Sequence, residues 1–522
     1  MKSRRRIGSI SLLLITAILT LTACGSSPTK GAAPGGTGSG GPAPSGEFEL
    51  AVASGADPVD LDPRKTWVGP GYSMNAHLFE PLVFRKQTGD KMEIYPLLAE
   101  SWKTVDPTTW EFKIRSGVKF HDGETLDAAA VAYTLTSIMD KDFTTQLKTW
   151  TNDIAKVEAK DAATLVITTK YPTRALLNSL AQVPIVAPQA AREMGAEFTK
   201  KPVGTGPYKI VSYTPNSSVI VERFDGYWGE KGKAKKITFR IMPENATRMA
   251  ALEAGEVQIA ENLSPDKLEK LKSNGALDVI YTPTLRVDWL VLQFTNKQVA
   301  NLKFRQALSL AIDRDSLVKN ILSGTTVVAN SVSPPGTIGY DKSLPPFAYN
   351  LEKAKQLLQE SGYGGEPIKM GAPIGRYSMD KQVNEAVAGM FKKLGVNVQF
   401  EALAWSAFIA KANEGQYDVY FIGQTDFTLN PTSHWRSMFY SQTARGKYNN
   451  PRVDQIIDQS AAELDDAKVI KLYQEGQKIL YDDLAALPLY YEPQLIGVSK
   501  KLKGFVPRLD EYVIVNYAEL TK

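Results

Sequence analysis

Two charged residues of opposite sign follow strand-like segments in the second half of the chain. Arg376 comes after the extended segment 368–374, and Asp426 comes after the apolar segment 417–422. A guanidinium group can bind a carboxylate through two parallel hydrogen bonds, and a carboxylate can receive an ammonium group. In open α/β sheets, ligands collect where the strands end in loops. The two side chains could therefore hold a zwitterion between them.

The intervening sequence predicts elements that would carry both groups to one edge of a sheet. Apolar residues recur at helical spacing over 383–394, Ser378 offers an N-cap, and Gly395 can end the helix. Apolar and polar residues then alternate over 396–400, as in a strand with one buried face. A second helix is predicted over 405–413. Two strands joined by one helix form a right-handed crossover in a parallel sheet, so we expect an α/β fold.

Further polar and aromatic residues are candidates for ligand contact. Aromatic faces can cover ligand side chains of varied type, although each aromatic residue could instead belong to the core. The alternative for Arg376 is a solvated turn residue. The candidate ligand-binding residues are Arg376, Tyr377, Asp426, Gln424, Asn430, Trp289, Tyr72 and Trp435.

Composition places the chain among soluble globular proteins with more than one lobe. It has 522 residues, of which 43% are hydrophobic and 22% charged. The formal net charge of +5 includes four basic residues among the first six, so it falls from +5 to +1 without them. Because no polybasic stripe remains, we do not expect a nucleic-acid partner.

The first 46 residues have the pattern of an exported and anchored protein. The basic start is followed by an apolar run over 10–21, which is shorter than the roughly 20 residues of a membrane span. Leu-Thr-Ala-Cys at 21–24 resembles the bacterial lipobox, and Cys24 is the only cysteine of the chain. We expect a lipoprotein signal peptide over 1–23, lipidation of Cys24 and a flexible Gly/Ser/Pro tether over 24–46. The alternative is a transmembrane anchor.

Motifs of catalysis and metal binding are missing from the sequence. It contains no GxSxG elbow, no HExxH helix and no cysteine for a thiol nucleophile besides Cys24. His121 is accompanied only by His77 and His434, and none has a metal-ligand spacing. Gly-Thr-Gly at 204–206 is followed by a proline that lacks an amide donor, which favours a tight turn over a phosphate loop. We expect no catalytic residue, metal or cofactor.

Several spaced motifs occur in one order along the chain. The first is the turn R-x-G-V-x-F-H-D-G at 115–123, which leads into a helix. Further motifs follow it in the order PVGTGPY at 202–208, DGYW at 225–228, LKFRQALSLAIDR at 302–314, GRY at 375–377 and YNNPRVD at 448–454. Together they resemble the extracellular solute-binding proteins of ABC importers, family 5, the peptide and nickel class. In this class the histidine of the first motif belongs to a structural turn.

The resemblance implies a periplasmic-binding-protein-like (class II, cluster C) α/β clamp of two lobes, with an additional accessory α+β domain. Lobe I would combine three separated pieces, 47–84, 203–288 and 490–522. The accessory domain would cover 85–202, and lobe II would cover 289–489.

The same resemblance implies an extracytoplasmic, lipid-anchored receptor on the bacterial cell surface or in the periplasm. It would act as a monomer, capture short peptides by hinge closure and deliver them to the membrane permease of an ABC transporter. Peptide binders of this class often carry W-x-x-D-x-x-D-P in the loop after the last strand. Here Gln424 replaces the tryptophan, and Phe427 and Asn430 replace the two aspartates. A nickel-chelate or other non-peptide ligand therefore stays open, as do a secreted peptidase and an adhesion or peptide-chaperone role.

Overall fold

A large mixed sheet runs through the protein in the computed structural model, which describes residues 47–65, 69–88, 91–145 and 147–521. The predicted signal peptide, Cys24 and the tether lie outside these residues. The strands are β1 Glu49–Ser54, β2 Val83–Thr88, β3 Lys91–Pro96, β4 Ala99–Asp106, β5 Thr109–Ile114, β6 Ile154–Ala159, β7 Thr164–Thr169, β8 Tyr208–Thr214, β9 Ser218–Arg223, β10 Lys236–Ile241, β11 Ile259–Ala260, β12 Leu277–Leu292, β13 Ile368–Ile374, β14 Val398–Ala404, β15 Val419–Thr425, β16 Ala486–Ser499, β17 Leu502–Lys503 and β18 Glu519–Leu520.

Helices cover the faces of the sheet and fill the long connections between strands. They are α1 Gly69–Leu78, α2 Ala128–Met139, α3 Lys148–Thr151, α4 Leu176–Leu180, α5 Pro188–Met194, α6 Asn245–Glu253, α7 Leu268–Lys272, α8 Lys297–Ala300, α9 Leu302–Ala311, α10 Arg314–Ser316, α11 Leu351–Glu360, α12 Asp380–Leu394, α13 Trp405–Asn413, α14 Pro431–Phe439, α15 Pro451–Ala462 and α16 Asp466–Asp482. Within the described residues, no helix has the length and apolar character needed to cross a membrane.

Two long antiparallel strands, β12 and β16, join the halves of the sheet. The order of its ten described strands is β14-β13-β15-β12-β16-β11-β1-β10-β9-β8. The register between β12 and β16 shifts between Pro283 and Val287 and again between Asp288 and Trp289. One half contains β1, β8–β11 and the end of β16, which come from distant parts of the sequence. This pairing accords with a lobe built from separated pieces, and the domain boundaries stay a prediction.

The predicted crossover forms as expected. β13 and β14 pair in parallel over their whole lengths, and β15 lies parallel on the other side of β13. Gly395 ends α12 in the left-handed region, with a φ of 109°. The prediction that Ser378 caps α12 is wrong. The helix begins at Asp380, and the N-cap position is occupied by Met379 in a left-handed conformation. The Ser378 amide instead donates to Glu492 Oε1 at 2.8 Å.

A four-stranded antiparallel sheet, β4-β5-β7-β6, packs against α2 and lies within the segment predicted as the accessory domain. The helix begins after Asp127, whose carboxylate accepts a hydrogen bond from the Ala130 amide at 2.8 Å. Phe112, Val131 and Leu135 are buried in its core. The local sequence therefore sets both the start of α2 and its packed face.

His121 has a structural role that ties two of the sequence motifs together. Its Nε2 donates to the Gly206 carbonyl at 3.0 Å, and its Nδ1 accepts from the Gly204 amide at 3.3 Å. A Cβ on Gly206 would lie 2.6 Å from the His77 carbonyl oxygen, so only glycine fits this turn. Burial lowers the pKa of His121 to about 4, so the ring is neutral at physiological pH. The tight-turn interpretation of 204–206 is confirmed.

Candidate ligand-binding site

A cavity of about 690 Å³ lies between residues that flank the two strands of 149–179, here called the β6–β7 segment, and residues at and beyond the ends of β13 and β15. Such a volume is in the range of small-molecule sites. Asn152, Asp153 and Tyr171 line one side, and Arg376 and Gln424 line the other. Both walls include polar side chains that can hydrogen-bond a ligand.

Arg376 lines the cavity from the turn after β13. Its guanidinium Cζ lies 5.2 Å from the centre of the Tyr377 ring and 5.4 Å from that of Trp405. The Asp380 carboxylate holds the turn by accepting the amides of Gly375 at 3.0 Å, Arg376 at 2.8 Å and Tyr377 at 3.1 Å. The Arg376 side chain is exposed. Among the described residues no carboxylate forms an ion pair with it, so its charge is available to a ligand anion.

The end of β15 and the loop after it each contribute one of the predicted residues to the cavity. Gln424 and Asn430 line it. Asn430 also caps α14 by accepting from the Thr432 amide at 3.1 Å, and it accepts a hydrogen bond from the Tyr473 hydroxyl. Its side chain is therefore fixed before any ligand arrives.

Asp426 is turned away from the cavity in this structure. Its side chain is 1% exposed, and its Oδ1 accepts from the Thr428 amide at 3.2 Å and from the Thr428 hydroxyl at 2.9 Å. Its Oδ2 lies 3.6 Å from His434 Nδ1 and has no hydrogen-bond partner among the described residues. The carboxylate thus supports its own loop.

The four predicted aromatic contacts lie outside the residues that line the cavity. Trp289 and Trp435 are fully buried, Trp289 beside Phe439 with ring centres 5.9 Å apart and Trp435 beside Tyr473 at 5.6 Å. Tyr377 is 7% exposed and donates to the Gly423 carbonyl at 3.3 Å. Tyr72 stacks on Tyr512 at 4.2 Å and donates to the Ala181 carbonyl at 3.4 Å. In this structure the four aromatic residues pack against other protein side chains. Of the predicted residues, Arg376, Gln424 and Asn430 line the cavity.

Sequence reasoning missed several lining residues. Arg286 and Arg436 reach the cavity but are paired, Arg286 with Glu511 at 3.1 Å and Arg436 with Asp458 at 2.8 Å. Asp153 lines the opposite wall. No motif or spacing marks these residues, because only the packing of distant segments brings them together.

Beside the cavity, the crossing strands β12 and β16 bury two neighbouring carboxyl groups. Asp288 is fully buried, and neither of its carboxyl oxygens has a hydrogen-bond partner among the described residues. Burial, together with the neighbouring Glu492 carboxyl, raises the pKa of Asp288 well above its usual value. The Arg286 guanidinium opposes this shift. Burial where the halves of the sheet meet thus favours the neutral form of this acid.

Comparison with known proteins gives a consistent family. A sequence model described as bacterial extracellular solute-binding proteins, family 5 Middle, matches residues 93–446. The Glutathione-binding protein GsiB of Escherichia coli (strain K12) is 30% identical over 483 residues, which cover 88% of this chain and 91% of the relative. GsiB of Salmonella typhimurium is also 30% identical, over 478 residues, with the same coverage.

Solved structures agree with these sequence relatives. The ABC transporter-associated periplasmic binding protein DppA from Helicobacter pylori, in complex with peptide STSA, has a TM-score of 0.79 and 25% identity over 91% of this chain and 99% of its own. HbpA2 from Haemophilus parasuis has a TM-score of 0.82 and 23% identity over 91% and 100%. The expected two-lobed α/β fold is therefore confirmed, and the protein is a substrate-binding receptor of an ABC transporter rather than an enzyme. The chain belongs to the bacterial extracellular solute-binding proteins of family 5.

Proposed function

We propose that this receptor captures short peptides in the 690 Å³ cavity and delivers them to an ABC permease. The observation that carries the proposal is the Arg376 guanidinium, which lines the cavity without a carboxylate partner among the described residues. A free guanidinium that rests on two aromatic rings is oriented for a bidentate bond to a carboxylate. The carboxyl end of a peptide supplies such a group.

Relatives support this ligand class. The GsiB proteins are named for binding glutathione, itself a short peptide, and the Helicobacter pylori DppA structure contains the peptide STSA. The polar walls of the cavity, including Gln424 and Asn430, offer partners for peptide N–H and C=O groups. A buried polar ligand needs such partners, because each unmet hydrogen-bonding group costs free energy.

Closure is the proposed signal to the permease. The cavity has walls from both the β6–β7 segment and the loops after β13 and β15, so a ligand there joins segments that would separate in an open form. Direct contacts join neighbouring elements of the two sides: Arg174, which follows β7, pairs with Asp466 of α16, and Arg85 of β2 donates to the Phe427 carbonyl in the loop after β15. A ligand shifts the equilibrium only through its differential affinity for the closed form.

The attachment to the membrane is part of the same proposal. A lipid on Cys24 would hold the receptor at the outer face of the cell membrane, and the Gly/Ser/Pro-rich segment 24–46 would let it reach the permease. We propose that it acts as a monomer. Mass analysis of the membrane-extracted protein would detect the lipidated Cys24 as the first residue, and an unmodified chain that begins at Met1 would contradict this anchor.

Calorimetric titration tests the ligand class. Residues 47–522, which form one compact unit, would be titrated with Ser-Thr-Ser-Ala, glutathione, an equimolar tripeptide library and a nickel–histidine chelate. We expect saturable binding of at least one peptide sample and none of the chelate. Binding of the chelate alone would overturn the peptide assignment and leave the receptor class intact.

A further inference from the structure

Two of the four charged side chains that line the described cavity are paired with charges of the protein itself. Among the described lining residues, the charged side chains are Arg286, Arg376, Arg436 and Asp153. Arg286 is paired with Glu511 and Arg436 with Asp458. One cation, Arg376, and one anion, Asp153, therefore remain without an oppositely charged partner in the described part of the chain. They come from opposite walls.

Asp153 is held in a fixed orientation at the start of the β6–β7 segment. Its Oδ1 accepts a hydrogen bond from the Tyr171 hydroxyl, and its Oδ2 accepts one from the Thr173 hydroxyl at 3.4 Å. Its own carbonyl accepts the Lys170 amide at 2.8 Å. A carboxylate has about four acceptor sites, so two donors leave room for a ligand N–H group. The side chain is half-buried and lines the cavity.

The Tyr171 hydroxyl donates a hydrogen bond to the Asp153 carboxylate and so orients it. Burial, reinforced by the Asp153 carboxylate, raises the pKa of Tyr171 to about 12, so its hydroxyl remains a donor at neutral pH. The nearby Arg436 charge is neutralised by Asp458 at 2.8 Å. Among the described lining residues, the Asp153 carboxylate therefore supplies the negative charge of the cavity.

The acid of the opposite wall does not take this role in the structure. Asp426 is 1% exposed and bonded to Thr428 of its own loop. It would reach the cavity only if the loop 424–430 refolded, which would break both hydrogen bonds. The half-buried Asp153 needs no such rearrangement.

We propose that Asp153 binds the free amino terminus of the peptide ligand while Arg376 binds its carboxyl terminus. This assignment rests on the proposed peptide function and deepens it. The ligand is then a zwitterionic peptide whose two ends attach to opposite walls, and peptides with a blocked amino terminus bind more weakly. Because the two charged contacts lie on different segments, a ligand must engage both ends to hold the walls together.

Terminal blocking of the ligand, combined with single substitutions in residues 47–522, tests the assignment. One equimolar tripeptide library would be prepared in free, N-acetylated and C-amidated forms. Native mass spectrometry would give the fraction of protein with bound peptide for the wild type, Asp153→Asn, Asp426→Asn and Arg376→Gln. Asp142→Asn, an exposed aspartate outside the cavity lining, serves as the matched control.

We expect the wild type and Asp142→Asn to bind the free form at least tenfold more tightly than the acetylated form. Asp153→Asn should lose this preference, keep its affinity for the acetylated form and still prefer free over amidated carboxyl ends. Arg376→Gln should show the reverse pattern. Unchanged binding of the acetylated library by Asp153→Asn also shows that the variant is folded.

Three results would overturn the assignment. Asp153→Asn could retain the preference for a free amino terminus, Asp426→Asn could lose it, or the wild type could bind free and acetylated forms equally. Each of these would leave the peptide receptor function standing. If the wild type binds none of the three libraries, the proposed function fails as well.

Discussion

Gly423 of β15 lies opposite Asp288 of β12, and a Cβ on Gly423 would lie 2.2 Å from Asp288 Oδ1. The same Cβ would lie 2.6 Å from the Tyr377 ring and 2.7 Å from Arg286 Cδ. The side chains of Asp288, Tyr377 and Arg286 thus occupy the space that a side chain at position 423 would need. The packing beside the cavity depends on this glycine.

Gly423→Ala is therefore expected to destabilise the protein. The added methyl group must displace either the Asp288 carboxyl or the Tyr377 ring, and overpacking of this kind typically costs about 1–3 kcal/mol. Thermal and urea unfolding would measure the loss. Gly389→Ala in α12 is the control, because no atom lies within 4 Å of its Cβ and alanine is the better helix former. Equal stability of the two variants would contradict the packing argument.

Asp288→Asn is expected to change how stability depends on pH. The folded-state pKa of Asp288 is raised, so its contribution is fully present below the unfolded value of about 3.8 and is lost as pH rises through the folded value. Asparagine removes this loss. The free energy of unfolding of the wild type should fall relative to that of Asp288→Asn between pH 4 and pH 8, by about 1 kcal/mol or more.

The difference between the two proteins reports on Asp288 together with the neighbouring Glu492 carboxyl that interacts with it. Burial also raises the pKa values of Glu80 and Glu261 to about 7, and both proteins contain these groups. Urea unfolding at a series of pH values would give the comparison, with Asp142→Asn as a surface control. Parallel pH profiles of the wild type and Asp288→Asn would show that Asp288 is ionised in the folded protein.

Much of the region around the site follows from local sequence. The periodicity of 368–413 predicts β13, α12 and α13 because each segment buries one face, and Asp127 caps α2 as its sequence position suggests. The start of α12 differs because the Asp380 carboxylate gathers three amides of the preceding turn, which no spacing rule ranks above a serine cap. Where two residues close together could each fix the start of a helix, the sequence alone does not determine which of them does so.

The lining of the cavity is less accessible to sequence reasoning. Trp289 and Trp435 have the size and aromatic character of ligand contacts, but the same properties suit the core in which they lie. Asp153 has no motif around it, and it faces the cavity only because the β6–β7 segment packs near the loop after β15. Local patterns specify elements, whereas this site is made by contacts between remote segments.

Arg376→Ala is expected to weaken peptide binding without a loss of stability. Its guanidinium is exposed and makes no ion pair with a described carboxylate, whereas a charge-assisted bond to a ligand is worth about 1.5–3 kcal/mol, or roughly tenfold to a hundredfold in affinity. Calorimetric titration and thermal unfolding would measure the two quantities. Lys381→Ala, on the exposed face of α12 nearby, is the control. A peptide affinity that equals that of the wild type would exclude Arg376 as an anchor.

Asp426→Ala is expected to have the opposite effect, a loss of stability with ligand preference retained. The substitution leaves the buried Thr428 amide without its acceptor, at a cost of about 1–3 kcal/mol, whereas the Thr428 hydroxyl can still donate to the Asn430 carbonyl at 2.8 Å. Asp426→Asn keeps an acceptor oxygen and should be closer to the wild type. Urea unfolding of both variants checks this order, and a destabilisation that is larger for asparagine than for alanine would contradict it.

The most direct test of the central claim is native mass spectrometry of residues 47–522 as purified, before and after denaturation. We predict that the folded protein releases co-purified masses that match peptides of two to five residues, and that Arg376→Ala releases fewer. A single non-peptide mass, or the isotope pattern of a metal chelate, would contradict the claim that this receptor captures peptides.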